Sequence, residues 1–410
     1  MTQINQLSIK IFNLYGDFMK QKKTLIRILA VLGLFFILVS CSLSSVNHRI
    51  SKESSSQDSG AQALAAPKSS VRNDSSALVT SAPFAPFVSE GDMWFSTWDD
   101  KDDVFVTWGD GYGPTTSSGS NPNSFPSQTH NGLALLHGTL PNVTFEVVNR
   151  NMPFAGNDRK GVEDKYNSKT SSLLFLEGRL YAAIHHPLVN PNYGFIAYSD
   201  DYGKTFQFPP AGDTWKKGSK FLSRVFLNMG QAYGLDTDGY VYVYGMVSEI
   251  ETNGLVYLAR VLKSNLKSDP LHYNTWQYFT GLDSMRQPKW DASENNAQPL
   301  SGVISRNIFS AIYHPGSQQY FILTAELLNG NLFKAAQPWG PWTSMGKWFD
   351  VESNLNTAWG GSYMPGMITK DLGAGSFYFA CGGSEPPGFP GGPLAQNYRF
   401  RLGLMALPGH

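Results

Sequence analysis

Cysteine is nearly absent from this 410-residue chain, which has only two. Two cysteines cannot build a disulfide framework or a four-thiolate zinc site. Charge is scarce and balanced: 32 Lys and Arg stand against 32 Asp and Glu, for a net charge of +0. Nothing in that balance implies a nucleic acid or another polyanion as a partner. No P-loop, GxSxG, HExxH or dinucleotide fingerprint occurs, and no cofactor or metal is expected. From about residue 84 onward, helical periodicity is also missing. What the chain has instead is 40 Gly, 10 Trp, 19 Tyr and 26 Phe. Glycine together with aromatics favours short strands and tight turns over helices.

The N-terminal segment has a composition of its own. Met19-Lys-Gln-Lys-Lys-Thr opens a basic stretch that ends at Arg27, and residues 28–39, ILAVLGLFFILV, are wholly apolar. A bilayer-spanning helix needs about 20 such residues. A basic flank, a shorter apolar run and a small residue before a cut mark a secretory signal peptide. Leu38-Val39-Ser40-Cys41 resembles the lipobox of bacterial lipoproteins, which implies lipidation of Cys41 and its exposure as the new N-terminus. Residues 1–41 are therefore expected to be a lipoprotein signal peptide, with Met19 as the true start. The membrane is then a partner through the N-terminal lipid, since each buried CH₂ contributes about 0.8 kcal/mol. Ser42, not Asp, follows the cysteine, which resembles the outer-membrane sorting signal of a bacterium with two membranes. Residues 42–83 are rich in Ser, Ala, Gln and Asn, and have few aromatics. Such a stretch buries too little apolar surface to offset its ordering entropy, and reads as a disordered linker. Cys381, within the apolar run FYFAC, reads as a small buried hydrophobe.

Residues 84–410 are the expected folded domain, all-β. Candidate strands are short and bounded by turn residues. They include 93–98, 104–109, 172–178, 180–186, 194–199, 240–247, 255–263, 308–314, 319–327 and 376–382. Many pair as hairpins, such as 173–177 with 180–184 around Gly178. So many hairpins exceed one sandwich and fit radial repetition around an axis. Blades are expected near 88–150, 165–215, 222–285, 300–350 and 357–410, giving a five-bladed β-propeller. Ser199-Asp-Asp-Tyr-Gly-Lys-Thr-Phe206 matches the Asp-box hairpin pattern. In that turn the Asp201 carboxylate caps the backbone, Gly203 supplies a positive φ and the aromatic packs. Asp201 is read as structural.

The densest acidic segment runs from Gly91 to Gly111. Strands 93–98 and 104–109 flank a polar turn, and a hairpin centred on Lys101 places Asp92 opposite Asp110. Directly opposed residues have Cβ atoms roughly 4.5–5.5 Å apart. Repulsion and burial raise one pKa of such a pair and leave the other group ionised. That division of roles suits glycoside hydrolysis. The same residues also serve as turn caps, and the pattern alone leaves both readings open. Asp99, Asp100, Asp102 and Asp103 form the tip of the turn and read as a solvated loop.

GDMWFSTW and VTWGDGYG, at this spacing, resemble the opening of domain-of-unknown-function family 4185 (DUF4185). Further similar segments follow in order: Lys169-Thr-Ser-Ser-Leu-Leu, Gly178-Arg-Leu-Tyr, the Ser199–Phe206 turn, Phe226-Leu-Asn-Met-Gly, Pro288-Lys-Trp and Pro338-Trp-Gly-Pro-Trp-Thr. The resemblance covers nearly all of 88–410. It implies a five-bladed propeller and, from the endo-D-arabinanases of glycoside hydrolase family 183, an endo-acting arabinofuranan hydrolase. It also implies that Asp92 and Asp110 are the catalytic pair. Met93 stands where the family has Asn. The glycine- and proline-rich stretch from Gly382 is looser than the family pattern and is expected to remodel the substrate groove that the resemblance implies.

Several residues extend the candidate site. Lys169, Asn228 and Arg306 occupy family-like positions and offer donors to sugar hydroxyls. Glu163 lies in a polar loop and is a candidate third carboxylate. Trp94, Trp108 and Tyr112 are candidate stacking platforms for a sugar ring, or core packing between blades. His185 and His186 alternate across a strand, which argues against a metal pair. The expected partner is a polysaccharide or glycan. Three functions share this fold: a glycoside hydrolase, a non-catalytic glycan-binding lipoprotein and a structural envelope lipoprotein.

Overall fold

The computed structural model describes residues 78–79, 82–115, 131–152, 168–185, 193–209, 215–216, 218–248, 253–383 and 398–408. Their strands group in chain order. The first group is β1 (Val88–Asp92), β2 (Ser96–Trp98), β3 (Val104–Thr115), β4 (Gly132–Thr139) and β5 (Asn142–Asn149). The second is β6 (Lys169–Leu176), β7 (Arg179–His185), β8 (Tyr193–Ser199) and β9 (Trp215–Lys216). The third is β10 (Ser223–Asn228), β11 (Tyr240–Met246), β12 (Tyr257–Leu262), β13 (Gln277–Leu282) and β14 (Pro288–Asp291). The fourth is β15 (Ser310–His314), β16 (Gln319–Ala325), β17 (Asn329–Ala335) and β18 (Thr343–Asp350). The fifth is β19 (Ser362–Met367), β20 (Ser376–Gly383) and β21 (Arg401–Ala406). Each group is an antiparallel meander, and the third and fourth join through a parallel β10–β15 pair. These are five blades, at the places expected from the sequence.

The innermost strands β2, β6, β10, β15 and β19 form a closed ring, and hydroxyl side chains make most of its joints. Phe175 N donates to Thr97 Oγ1 at 2.9 Å, joining β6 to β2, and Phe226 N donates to Ser172 Oγ at 3.0 Å, joining β10 to β6. Leu227 pairs with Ala311 between β10 and β15. Met367 N donates to Ser310 Oγ at 2.9 Å, and Ser96 Oγ donates to Met367 O at 2.9 Å, which closes blade 5 onto both neighbours. Small polar residues serve here because they let inner strands approach while each buried hydrogen bond contributes about 1 kcal/mol.

Aromatic rings fill the spaces between blades, which is where the chain's Phe and Trp are used. Phe105 stacks on Phe175 at 6.0 Å between blades 1 and 2. Trp215 meets Trp276 at 5.6 Å between blades 2 and 3. Tyr244 meets Phe309 at 6.0 Å between blades 3 and 4, and Trp348 meets Phe379 at 4.9 Å between blades 4 and 5. Trp94 meets Phe400 edge-on at 5.3 Å, packing blade 1 on the segment that leads into β21. Gly366 marks the tightest approach of blade 5 to blade 1: a Cβ there would fall 2.1 Å from Trp94 O. Gly366→Ala is therefore expected to lower the unfolding free energy by about 3 kcal/mol, read as a reduced urea midpoint.

Two boundaries differ from those expected. The domain does not start at residue 84: Leu78 and Val79 are buried, and Val79 pairs with Met405 while Phe84 pairs with Leu402. Blade 5 has only three named strands, and this N-terminal segment lies along β21 as its outer partner. The strand expected at 93–98 begins at Ser96, because Met93 takes a φ of 55° and the Thr107 hydroxyl bonds Met93 O at 2.7 Å. Among the described residues no helix is long and apolar enough to cross a membrane. The signal peptide, Cys41 and most of the linker lie outside the described residues.

Candidate active site

The five inner strands run the same way around the axis, so their N-terminal ends gather at one mouth. Asp92 ends β1 just before β2, Lys169 begins β6, and Tyr363 is the second residue of β19. Asp110 reaches the same place on β3, which runs towards this mouth.

The backbone explains why glycines flank both aspartates. A β-bulge between Glu90 and Asp92 brings β1 onto β3, with Asp92 paired to Gly109. A Cβ on Gly91 would fall 2.8 Å from Gly109 O, and one on Gly111 would fall 2.3 Å from Glu90 O. Only glycine permits this approach. The expected register, Asp92 opposite Asp110, is thus one residue off. The bulge shifts the pairing, and Asp110 takes a left-handed φ of 46°. The two carboxylates still sense each other, because Asp110 raises the pKa of Asp92.

Their surroundings differ sharply. Asp92 is only 5% exposed, and burial pushes its carboxyl up from 3.8 to about 6. The Lys169 ammonium and the Tyr363 hydroxyl, which donates to Oδ2 at 2.7 Å, pull it partly back, and Tyr398 acts in the same sense. In return, burial and the Asp92 charge push both tyrosine hydroxyls well above their ordinary value. Asp110 is 39% exposed and forms a close ion pair with Lys169 Nζ, while Lys169 itself is 3% exposed. A single buried ammonium therefore serves a buried carboxyl and a half-exposed carboxylate. Next to them Cys381 is fully buried, and burial pushes its thiol up to about 11. It is packing, as the sequence implied.

The remaining candidates divide. Trp94 and Trp108 are 0% and 1% exposed, so neither offers a ring to a sugar, and both belong to the core between blades 1 and 5. The indole of Trp108 lies on Gly132, where a Cβ would fall 2.1 Å from it. Tyr112 alone of the three aromatics is partly exposed. Asn228 is not at the mouth: it ends β10, and its amide donates to Leu173 O at 3.0 Å while Oδ1 accepts from Thr97 at 2.7 Å. Its polar atoms belong to the inner ring, which corrects its expected role as a sugar donor. Arg306 is 60% exposed and lies 3.9 Å from Glu326, whose backbone pairs with Tyr363. It borders the mouth without touching the aspartates. His185 faces Lys169 across β6 and β7 and is buried. Glu163, His186 and the Gly/Pro-rich stretch from residue 384 lie outside the described residues.

Two further expectations concern turns. The tip at 99–103 is not simply solvated: Asp99 is buried and accepts Asp103 N at 2.8 Å, Asp103 meets His137 at 2.7 Å, and Asp102 meets Lys370 at 3.1 Å. The first two brace the turn within blade 1, and the Asp102–Lys370 pair ties it to blade 5 at the end of the axis away from Asp92. In the 199–206 turn, the Asp201 carboxylate accepts Thr205 N at 2.8 Å and Thr205 Oγ1 at 2.6 Å, and Gly203 has a φ of 84°. Asp201 is a structural cap.

Sequence reasoning missed Tyr363, Tyr398 and Glu326. Their nearness to Asp92 or to its partner arises from ring closure, and no local spacing announces it.

Residues 182–380 match the family model described as a domain of unknown function, DUF4185. The family resemblance read from the sequence is thereby borne out from β7 to β20, while Asp92, Asp110 and Lys169 precede the matched segment. No curated protein matches the chain. Among solved structures, a candidate hydrolase from Bacteroides ovatus shares 15% identity at a TM-score of 0.49, with 80% of this chain and 88% of that one covered. The GH43_1 enzyme of Xanthomonas citri, solved with xylose, shares 12% at a TM-score of 0.43, with 80% and 90% covered. The catalytic domain of a Coprinopsis cinerea GH62 alpha-L-arabinofuranosidase shares 10% at a TM-score of 0.42, with 80% and 95% covered.

Proposed function

We propose that this chain is a lipid-anchored glycoside hydrolase of the cell envelope that uses Asp92 and Asp110 as its acid pair. The observation that carries this reading is the unequal environment of the two carboxyl groups. Asp92 is buried, with its carboxyl pushed up to about 6, and Asp110 is half exposed and ion-paired with Lys169. Pushing two neighbouring carboxyl groups into different environments is how one becomes an acid and the other a base or nucleophile. In this reading Asp92 holds the proton for the leaving oxygen. Asp110 faces the anomeric carbon or the attacking water. Lys169 holds Asp110 in place, and the Tyr363 hydroxyl orients Asp92 through Oδ2. Tyr112 is the ring available on blade 1, and Arg306 is an exposed donor on blade 4 beside Glu326. A furanose polymer of the D-arabinan type is the proposed substrate, on the strength of the resemblance of the two aspartate segments. Cys41 would carry the lipid, in the outer membrane if the cell has two.

A second reading, glycan binding without hydrolysis, is favoured by the depth of Asp92, which is 5% exposed. Incubating the full chain with D-arabinan, L-arabinan, xylan and a mannan separates the two. Release of soluble oligosaccharides from a furanose polymer supports hydrolysis. Retention of polymer with no new reducing ends, at any pH from 4 to 8, overturns it.

A further inference from the structure

The other end of the axis carries a second concavity. There the inner strands terminate: Trp98 ends β2, Gln231 follows β10, Pro315 follows β15, and Thr369 and Asp371 follow β19. With Leu235 they line a cavity of 580 Å³. Tyr363 touches Asp92, and Thr369 lies six residues further along the same chain segment. At about 3.3 Å per extended residue, the cavity is roughly 20 Å from the acidic mouth.

Its lining has a definite chemistry. Thr369 is 2% exposed, and its Oγ1 is buried with no hydrogen-bond partner among the described residues. A buried hydroxyl left in that state is costly; it lies just beneath the cavity wall, so a ligand gains it as a partner where that wall gives way. The Trp98 Nε1 is already engaged, donating to Asp102 Oδ1 at 3.1 Å. What Trp98 offers a ligand is therefore its ring surface, and Leu235 and Pro315 extend that apolar wall. The Asp371 carboxylate is fixed by Leu140 N at 2.8 Å, and Gln231 adds an amide. Lys370, the nearest cation in sequence, is turned to Asp102 instead. The lining thus holds one carboxylate and no positive charge, which disfavours an anion. A purely apolar ligand would leave Thr369 and Asp371 dehydrated and unmatched. A ligand with an apolar face and a rim of hydroxyl groups satisfies both walls, as a sugar ring does, and the volume is that of a small-molecule site.

We propose that this cavity is a second saccharide-binding site, which seats one neutral sugar ring at the end of the propeller opposite to Asp92. It holds glycan whether or not the mouth cleaves it. A site there keeps the chain on a polymer while a separate stretch of that polymer occupies the mouth.

The test is a titration of the full chain with arabinose, xylose, galactose and glucose, followed by tryptophan fluorescence and by saturation-transfer NMR. At least one sugar is expected to bind, with Asp92→Asn binding as the wild type does. Thr369→Val is expected to weaken that binding about tenfold, with the rate of product release from short oligosaccharides unchanged. Leu235→Arg, at the exposed lip of the cavity, is expected to weaken it similarly and covers the case in which Thr369→Val fails to fold. The proposal is overturned if none of the four sugars binds. It is also overturned if binding is lost in Asp92→Asn and kept in both cavity variants, which would place the only sugar site at the mouth.

Discussion

Asp92→Asn is expected to lose hydrolysis by about a thousandfold and, in the same protein, to gain stability at neutral pH. The first effect is the loss of a general acid, which is typically 10²–10⁴-fold. The second follows from burial. In the folded chain the Asp92 carboxyl is pushed from 3.8 to about 6. That rise of about 2.2 units corresponds to about 3 kcal/mol at about 1.36 kcal/mol per unit. The sign is that of a raised carboxyl: between about pH 4 and pH 6 the folded state binds the proton more tightly than the unfolded chain. The associated stability is present below pH 4 and is lost as pH rises through 6. Asparagine is neutral throughout and keeps an oxygen to accept from Tyr363. The variant should therefore match the wild type in urea at pH 4 and exceed it by about 1–3 kcal/mol at pH 8. A merely structural aspartate would show the reverse: a stability loss at pH 8 and little change in activity. Equal urea midpoints at both pH values would sink the assignment of Asp92 as the buried acid.

The fold was legible because its information is local. Each blade is a chain of hairpins whose apolar runs and turn residues lie within about 60 residues, so the five blade positions followed from the strand pattern. Registers were less legible, because they depend on turn geometry. The hairpin expected around Gly178 actually turns on Glu177 and Gly178, both at positive φ, which pairs Leu176 with Arg179. Two left-handed residues make the tight two-residue loop that suits strand twist. At the candidate site, Asp92 and Asp110 could be singled out because they share one hairpin, but their one-residue offset could not, since it arises from a bulge. Lys169 was named without its purpose, because its partner is on another blade. The tryptophans misled for the opposite reason. Trp94 and Trp108 stand beside the two aspartates in sequence, but both rings are buried between blades 1 and 5, where Gly132 leaves room for the Trp108 indole. Tyr363 and Tyr398 reach Asp92 only when blade 5 closes on blade 1, about 270 and 300 residues away in sequence.

Lys169→Met is expected to move the basic limb of the pH–rate profile to the alkaline side. In the wild type, Asp92 must hold its proton to act as the acid, so the rate should fall as pH rises through about 6. Lys169 is the strongest influence holding that value down, ahead of the Tyr363 hydroxyl. Without the ammonium, only the Tyr363 and Tyr398 hydroxyls oppose burial and the neighbouring Asp110, and the Asp92 carboxyl rises further. The basic limb should move up by about one unit or more. The same substitution removes the ammonium that pairs with Asp110. Activity at the optimum is expected to fall about a hundredfold, since Asp110 is no longer held in position. Stability should fall by up to about 3 kcal/mol, more at pH 8 than at pH 5, because only at the higher pH does removal of Lys169 leave two charged carboxylates facing each other. Lys169→Arg restores the charge but not the compact fit of the ammonium, so its basic limb should stay near that of the wild type even if its rate is low. A loss of rate in Lys169→Met with the basic limb unmoved would show that Lys169 only packs, and would remove the electrostatic link on which the division of roles depends.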